Sequence, residues 1–198
     1  MRSAATGALL LGLSTLGVVA VAAAQSSGGA VLYGDTFLLS GSVDREGAGR
    51  VVIVLARPHG RASYSEVGRV RTTAGGRWRY TARPSIRTLY RARIGRLQST
   101  PVPVDVEPRI ALRAARGRFT ATVRAARSFA GKFVVLQRRT RGTGWQYDRR
   151  LVLGEGSVAR FTFGHSSTRT QIRLLMPGSQ VGPGYVAARS PVITLFAR

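Results

Sequence analysis

The chain holds two histidines and eight carboxylates, and neither set is spaced for catalysis. A hydrolytic triad or a metal centre needs partner groups arranged around the imidazole. His59 has Arg57 and Arg61 as its nearest ionisable neighbours, which repel a metal cation, and His165 runs into Ser166 and Ser167 in a turn-like stretch. No G-x-S-x-G elbow, H-E-x-x-H helix or Walker glycine–lysine loop occurs. Among the acids, Asp44 and Glu46 share one turn, and Asp105 and Glu107 stand two apart on one face of a strand. Glycosidases pair two carboxylates, and calcium wants about six to eight oxygens. With Arg109 adjacent and no Asp/Asn string, ion pairing to arginine is the expected use of Asp105 and Glu107. No catalytic residue, metal or cofactor is expected, and the chain reads as a non-enzyme.

The other chemistry lies in arginine and the aromatics. The formal charge is +23, and of the 31 basic residues only Lys132 is lysine. Such a field attracts phosphate, sulfate or carboxylate polymers. A codon bias that writes Arg for Lys is the competing cause, although it does not account for so few acids. The candidate polyanion contacts are Arg77, Arg79, Arg91, Arg93, Arg138, Arg139 and Arg141, all in or beside predicted strands. Trp145, Tyr147 and Tyr185 are the aromatics that exposure would let stack on sugar rings. Phase still favours a core place for Trp145, which lies an even number of residues from Leu151 and Leu153. Trp78, Tyr80, Tyr90, Phe119, Phe133, Phe161 and Phe163 read as inward.

The segment 1–24 has the three regions of a secretory leader: Arg2, an apolar stretch over 8–21, and Ala22-Ala23-Ala24 before Gln25. A retained membrane anchor is the alternative, but Gly7, Gly12, Ser14, Thr15 and Gly17 dilute the stretch. No later stretch approaches the roughly 20 apolar residues that a span requires. Cysteine is absent, so each domain must rest on its hydrophobic core.

The stretch 25–34 is Ser/Gly-rich with a short strand expected at 30–33, and beyond it the apolar period is two, the signature of strands. Strands are predicted at 36–43, 51–56, 64–73, 77–80, 89–94 and 98–106. The 51–56 run reads as a central strand buried on both sides, and Pro101 and Pro103 mark the last as an edge. In 89–94, Tyr90, Ala92 and Ile94 share one face and Arg91 and Arg93 the other. The pattern then repeats, with 132–139 matching the 51 run at an offset of about 82 and 170–175 matching the strand of Tyr90. The boundary falls near Glu107-Pro108, giving one unit over 25–106 and a second over 107–198 in a stiff tandem.

Several stretches resemble the tandem immunoglobulin-like, fibronectin type III-like domains of secreted bacterial proteins. They are Gly34-Asp35-Thr36-Phe37-Leu38-Leu39-Ser40-Gly41, Ala48-Gly49-Arg50-Val51-Val52-Ile53-Val54, Thr72-Thr73-Ala74-Gly75-Gly76-Arg77-Trp78 and Pro84 through Tyr90. The resemblance implies an all-β fold of two tandem immunoglobulin-like β-sandwiches, with Tyr90 as the tyrosine corner whose hydroxyl bonds to the backbone. The second copy has Gln171 and Ile172 at that spot.

The expected function is a secreted or cell-surface, envelope-associated binding or structural module that contacts anionic cell-envelope polymers, or a surface protein. A carbohydrate-binding module using exposed aromatics is the alternative. Arg77/Arg79 and Arg91/Arg93 are predicted on opposite outer faces. Charge so spread argues against sequence-specific nucleic-acid recognition, which concentrates it on one face or helix.

Overall fold

The computed structural model describes residues 19–23 (backbone only), 30–43, 48–164 and 169–196. Asp44, Glu46 and His165 lie outside the described residues. Alternation of apolar and charged residues produces two sandwiches in chain order. The first comprises β1 (Val19–Ala23), β2 (Ala30–Leu32), β3 (Phe37–Val43), β4 (Val51–Pro58), β5 (Ser65–Arg71), β6 (Arg77–Ala82), β7 (Thr88–Ile94), β8 (Leu97–Gln98) and β9 (Val102–Glu107). One sheet has the order β1-β3-β6 and the other β2-β9-β7-β4-β5, with β8 beside β7. β1, inside the segment read as a leader, runs antiparallel to β3.

The second sandwich comprises β10 (Arg109–Ala115), β11 (Arg118–Arg124), β12 (Phe133–Thr140), β13 (Gln146–Val152), β14 (Val158–Thr162), β15 (Thr170–Met176), β16 (Ala188–Arg189) and β17 (Ile193–Leu195). A short helix, α1 (Gly178–Val181), sits in the connection after β15. Here β10-β11-β14 faces β13-β12-β15-β16, and β17 pairs with the first half of β15. Only Pro108 separates β9 from β10.

Each sandwich closes on its own core. Leu39, Val52, Val54, Trp78, Tyr90 and Ala92 fill the first. Phe119, Val134, Leu136, Ile172, Leu174 and Met176 are among those that fill the second, where Phe119 stacks on Phe161 at 5.3 Å. Each large apolar side chain buried this way contributes roughly 1.5–3 kcal/mol.

Three expectations change. β4 is central but has only one face in the core, that of Val52, Val54 and Ala56. Its other face, Ile53 and Leu55, is half-buried beside Arg93 and Arg91 of β7. Arginine stems cover apolar surface while their heads stay in water, so a continuous apolar run need not be buried twice. Phe133 likewise points outward, half-buried under the Arg150 guanidinium 4.6 Å from its ring. As for the edge strand, β9 carries Pro103 opposite Leu89, and its last three residues pair on the other side with β2 in parallel.

Apolar and polar contacts join the halves. Val106 belongs to the second core, and Tyr33 and Ile86 of the first half pack against that core. Arg109 donates from Nε to the Tyr33 carbonyl at 3.0 Å and pairs with Asp35. The Arg87 backbone N–H donates to the Gly184 carbonyl at 2.9 Å, and Val186 N–H to the Val106 carbonyl at 3.1 Å. Burial at this seam raises the Glu107 carboxyl above the usual carboxylate range, with the Arg189 charge opposing it.

Candidate functional site

The outer face of the second sandwich's larger sheet is where candidate residues converge. Facing the core, β12 and β15 contribute Val134, Leu136, Ile172, Leu174 and Met176. The alternate residues point out, and the register sets them in rows: Gln137 beside Arg173, and Arg139 beside Gln171. On the far side of β12 the pairing with β13 slips between Leu136 and Gln137, so Leu136 faces Arg149 while Gln137 faces Tyr147. Asp148 is the extra residue of this bulge, and a bulge inverts the parity of everything beyond it. Leu151 and Leu153 therefore face the core, while Tyr147 and Trp145 join the outer rows. This is why phase counted through from Leu151 misplaces Trp145.

Trp145 is half-buried, but by arginine rather than by the core. The guanidinium groups of Arg139 and Arg173 stand over its ring, 4.8 and 4.0 Å from the centroid. Each such contact is worth about 0.5–2 kcal/mol depending on desolvation. Amides fix the arginines further: Arg139 Nε donates to Gln171 Oε1 at 2.6 Å, and Arg173 Nε to Gln137 Oε1 at 2.8 Å. The Gln171 amide then donates to Thr194 Oγ1 at 3.3 Å. Burial first, then the charges of Arg189 and Arg139, holds the Arg173 guanidinium below the usual arginine range. Among the described residues, no carboxylate ion-pairs with Arg139, Arg141, Arg169 or Arg173. The end of this face opens into a concavity of about 660 Å³ lined by Arg139, Thr140, Arg141, Thr143, Arg169 and Gln171. Uncompensated guanidinium groups held in fixed geometry suit oxyanions, whose oxygens accept paired N–H donors.

The remaining sequence candidates fall elsewhere. Arg138 is exposed and lies 3.8 Å from the Asp148 carboxylate. Arg77 and Arg79 are exposed on β6, in the smaller sheet of the first sandwich; Arg91 and Arg93 are on β7, in the opposite sheet. Tyr147 is 62% exposed on the same face as Trp145. Tyr185 is only 8% exposed and lies at the seam between the sandwiches, so it does not join the other two aromatics. Tyr90 is buried in the first core, where burial, and secondarily Tyr80, pushes its hydroxyl pKa up to about 12 against the opposing pull of Thr88. Thr88 Oγ1 donates to the Ile86 carbonyl at 2.7 Å, so a side-chain-to-backbone bond at this corner comes from the threonine.

Asp105 lies 3.1 Å from Arg87 Nε, an ion pair whose angles are too poor for a hydrogen bond. No three His, Asp or Glu side chains among the described residues come together as a metal site. No helix among them is long and apolar enough to cross a membrane. Reading charge and phase alone misses Arg173, Arg169 and Arg57, because each becomes significant only through a neighbour on another strand.

No protein-family model matches the chain, and no curated protein matches it. Among solved structures, the chicken interferon gamma receptor alpha chain is similar over 93% of this chain and 99% of its own, at 8% identity and a TM-score of 0.44. The chicken CNTN1 FN1–FN3 domains are similar over 85% of this chain and 68% of theirs, at 13% identity and a TM-score of 0.30. Neither likeness bears on what this chain binds. Its own strand order, a three-stranded sheet closed on a larger one in each half, makes the chain a pair of tandem immunoglobulin-like β-sandwiches.

Proposed function

We propose that this chain is an exported, non-enzymatic binding module that holds anionic polymers of the cell envelope through its outward arginines. The observation that carries the reading is the clamp of Arg139 and Arg173 on Trp145, beside a concavity that Arg141 and Arg169 also line. The leader pattern over 1–24 supports export. Its removal takes β1 away and leaves β3 at the edge of its sheet. Mass spectrometry of the exported chain should give Gln25 as the first residue; a chain that still carries 19–23 would overturn export by cleavage.

The test of binding is a titration of the exported chain against anionic and neutral polysaccharide across a salt series. Exposed charges are screened over about 8 Å at physiological salt, so binding to the anionic polymer should fall steeply as salt rises. Arg139→Ala with Arg173→Ala should weaken it several-fold more than Arg77→Ala with Arg79→Ala. Equal loss from the two pairs would mean that the charge acts diffusely. A second reading has one observation in its favour, since Tyr147 is largely exposed beside Trp145. If neutral polysaccharide binds as well as anionic and binding survives high salt, the aromatic reading replaces the electrostatic one.

A further inference from the structure

The concavity of the second sandwich has a counterpart in the first. A smaller hollow of about 230 Å³ is lined by Arg57, His59, Gly60, Arg61, Arg87 and Leu89. Added to each of these numbers, an offset of 82 gives Arg139, Arg141, Gly142, Thr143, Arg169 and Gln171, the lining of the larger one. The correspondence extends to the clamp. Arg57 and Arg91 stand over the Tyr64 ring at 5.1 and 4.8 Å, as their equivalents Arg139 and Arg173 stand over Trp145. A bulge in the same place inverts the partner strand, between Val54 and Leu55 in one sandwich and between Leu136 and Gln137 in the other. Gly60 and Gly142 take φ of +81° and +79°, so the turn that forms the rim is the same turn twice.

Chain duplication alone would preserve core positions, because the core must still pack. These positions lie outside both cores, so core packing does not explain why the two copies share them. Both hollows keep the arginine at the strand end (57 and 139) and the arginine entering the neighbouring strand of the sheet (87 and 169), and each adds a third arginine at a different rim position: Arg61 in one, Arg141 in the other. In the first hollow Arg87 is ion-paired with Asp105, and the loop 177–185 of the second sandwich abuts it, which makes that hollow the smaller and less positive one.

We infer that the chain carries two corresponding oxyanion sites of unequal strength, one per sandwich, which together hold a single linear polymer of phosphate or sulfate groups. The inference rests on the anionic-polymer reading above. The first hollow sits at the seam, where Arg87 meets Gly184. The second sits at the far end of β12, whose start lies near α1, with Phe133 N–H donating to Gln180 Oε1 at 3.2 Å. The eight residues of β12 thus separate them along the rod, by on the order of 25 Å at the usual strand rise. The seam contacts described above hold that separation fixed. A ligand shorter than this fills one hollow at a time. A longer one reaches both, and its second contact is intramolecular.

Tripolyphosphate and long-chain polyphosphate are the probes, titrated calorimetrically into the exported chain at low salt. Tripolyphosphate should bind two per chain, more weakly to the first sandwich, and the long polymer should bind tighter by about 10²-fold or more. Arg57→Ala with Arg61→Ala should remove one tripolyphosphate and abolish the gain from length. Arg139→Ala with Arg141→Ala should do the same through the other hollow, and circular dichroism of each variant checks that both sandwiches remain folded. A single tripolyphosphate site, or a gain from length that survives either double substitution, overturns the paired-site inference while leaving anion binding intact. No binding of either probe at low salt overturns the anionic-polymer reading itself.

Discussion

The Tyr185 hydroxyl donates to the Ser85 carbonyl 3.0 Å away, joining residues one hundred positions apart and on different sandwiches. The same oxygen accepts the Ala126 backbone N–H at 3.2 Å, and the ring meets Phe129 edge-on at 6.2 Å. Tyr185 is thus a bolt at the seam, and burial raises its hydroxyl above the usual tyrosine range. Tyr185→Phe keeps the ring and strands two backbone groups, a loss of about 1–3 kcal/mol. Denaturant unfolding should show that loss while tripolyphosphate binding stays unchanged. Weaker binding with undiminished stability would instead make Tyr185 a ligand contact.

Gly68 on β5 owes its identity to the Tyr80 ring. A Cβ there would overlap Tyr80 Cε2 and lie 2.9 Å from Cζ. The Tyr80 hydroxyl meanwhile donates to the Val67 carbonyl at 2.7 Å, which ties the ring in place. Gly68→Ala should therefore destabilise the chain by about 1–3 kcal/mol, the range of overpacking. With Tyr80→Ala added, the loss in the double variant should be much less than the sum of the two single losses, since contacting residues couple. Thermal unfolding of the four chains in the cycle measures that coupling, and additive effects would break the assignment.

What the sequence makes legible here is the part ruled by strict alternation. In β7, Tyr90, Ala92 and Ile94 are buried and Arg91 and Arg93 are not, because an unbroken strand lets parity be counted from any residue. The repeat is legible for the same reason, since β12 and β15 present the β4 and β7 patterns again. Parity breaks at the bulge opposite Leu136 and Gln137, so Trp145 moves from its in-phase core position to the outer face. A bulge is set by backbone pairing and leaves no apolar signature, so counting cannot find it. Phe133 fails differently: its strand is correctly placed, but arginine stems cover an outward aromatic as well as a core would. Tyr185 is opaque for a third reason, because its partners Ser85 and Ala126 come from other elements and only the tandem packing brings them near.

Tyr90 makes the fold less stable at alkaline pH. Its pKa is ordinarily near 10 and rises to about 12 in the folded chain, chiefly through burial. Between those values the unfolded chain loses the proton while the folded chain keeps it, so stability falls as pH rises through that window and is unaffected by this group below it. A rise of that size corresponds to a loss of about 2–3 kcal/mol across the window. Tyr90→Phe removes this group's titration and should make the decline between pH 10 and 12 shallower, leaving the share that the raised Tyr185 hydroxyl contributes, even though the variant starts from a different stability at lower pH. Denaturant midpoints measured at intervals across that window test it. An unchanged slope would mean that another group governs alkaline unfolding.

Gln171 links the arginine clamp to the strand behind it, accepting from Arg139 and donating to Thr194. Its counterpart in the first sandwich is Leu89, which cannot accept a hydrogen bond, so Arg57 lacks that anchor. An anchored guanidinium loses less side-chain freedom when an anion arrives, and ordering one such side chain costs about 0.5–1.5 kcal/mol. Gln171→Leu should therefore weaken tripolyphosphate at the second hollow by a few-fold to about ten-fold, bringing it toward the affinity of the first. Leu89→Gln should move the first hollow the other way. Neither change touches the core, so unfolding midpoints should shift little, and a loss of affinity that merely follows a loss of stability would count against anchoring. Fluorescence offers a second readout, because a freed Arg139 alters the surroundings of Trp145 whereas Trp78, 2% exposed in the other core, stays as it was.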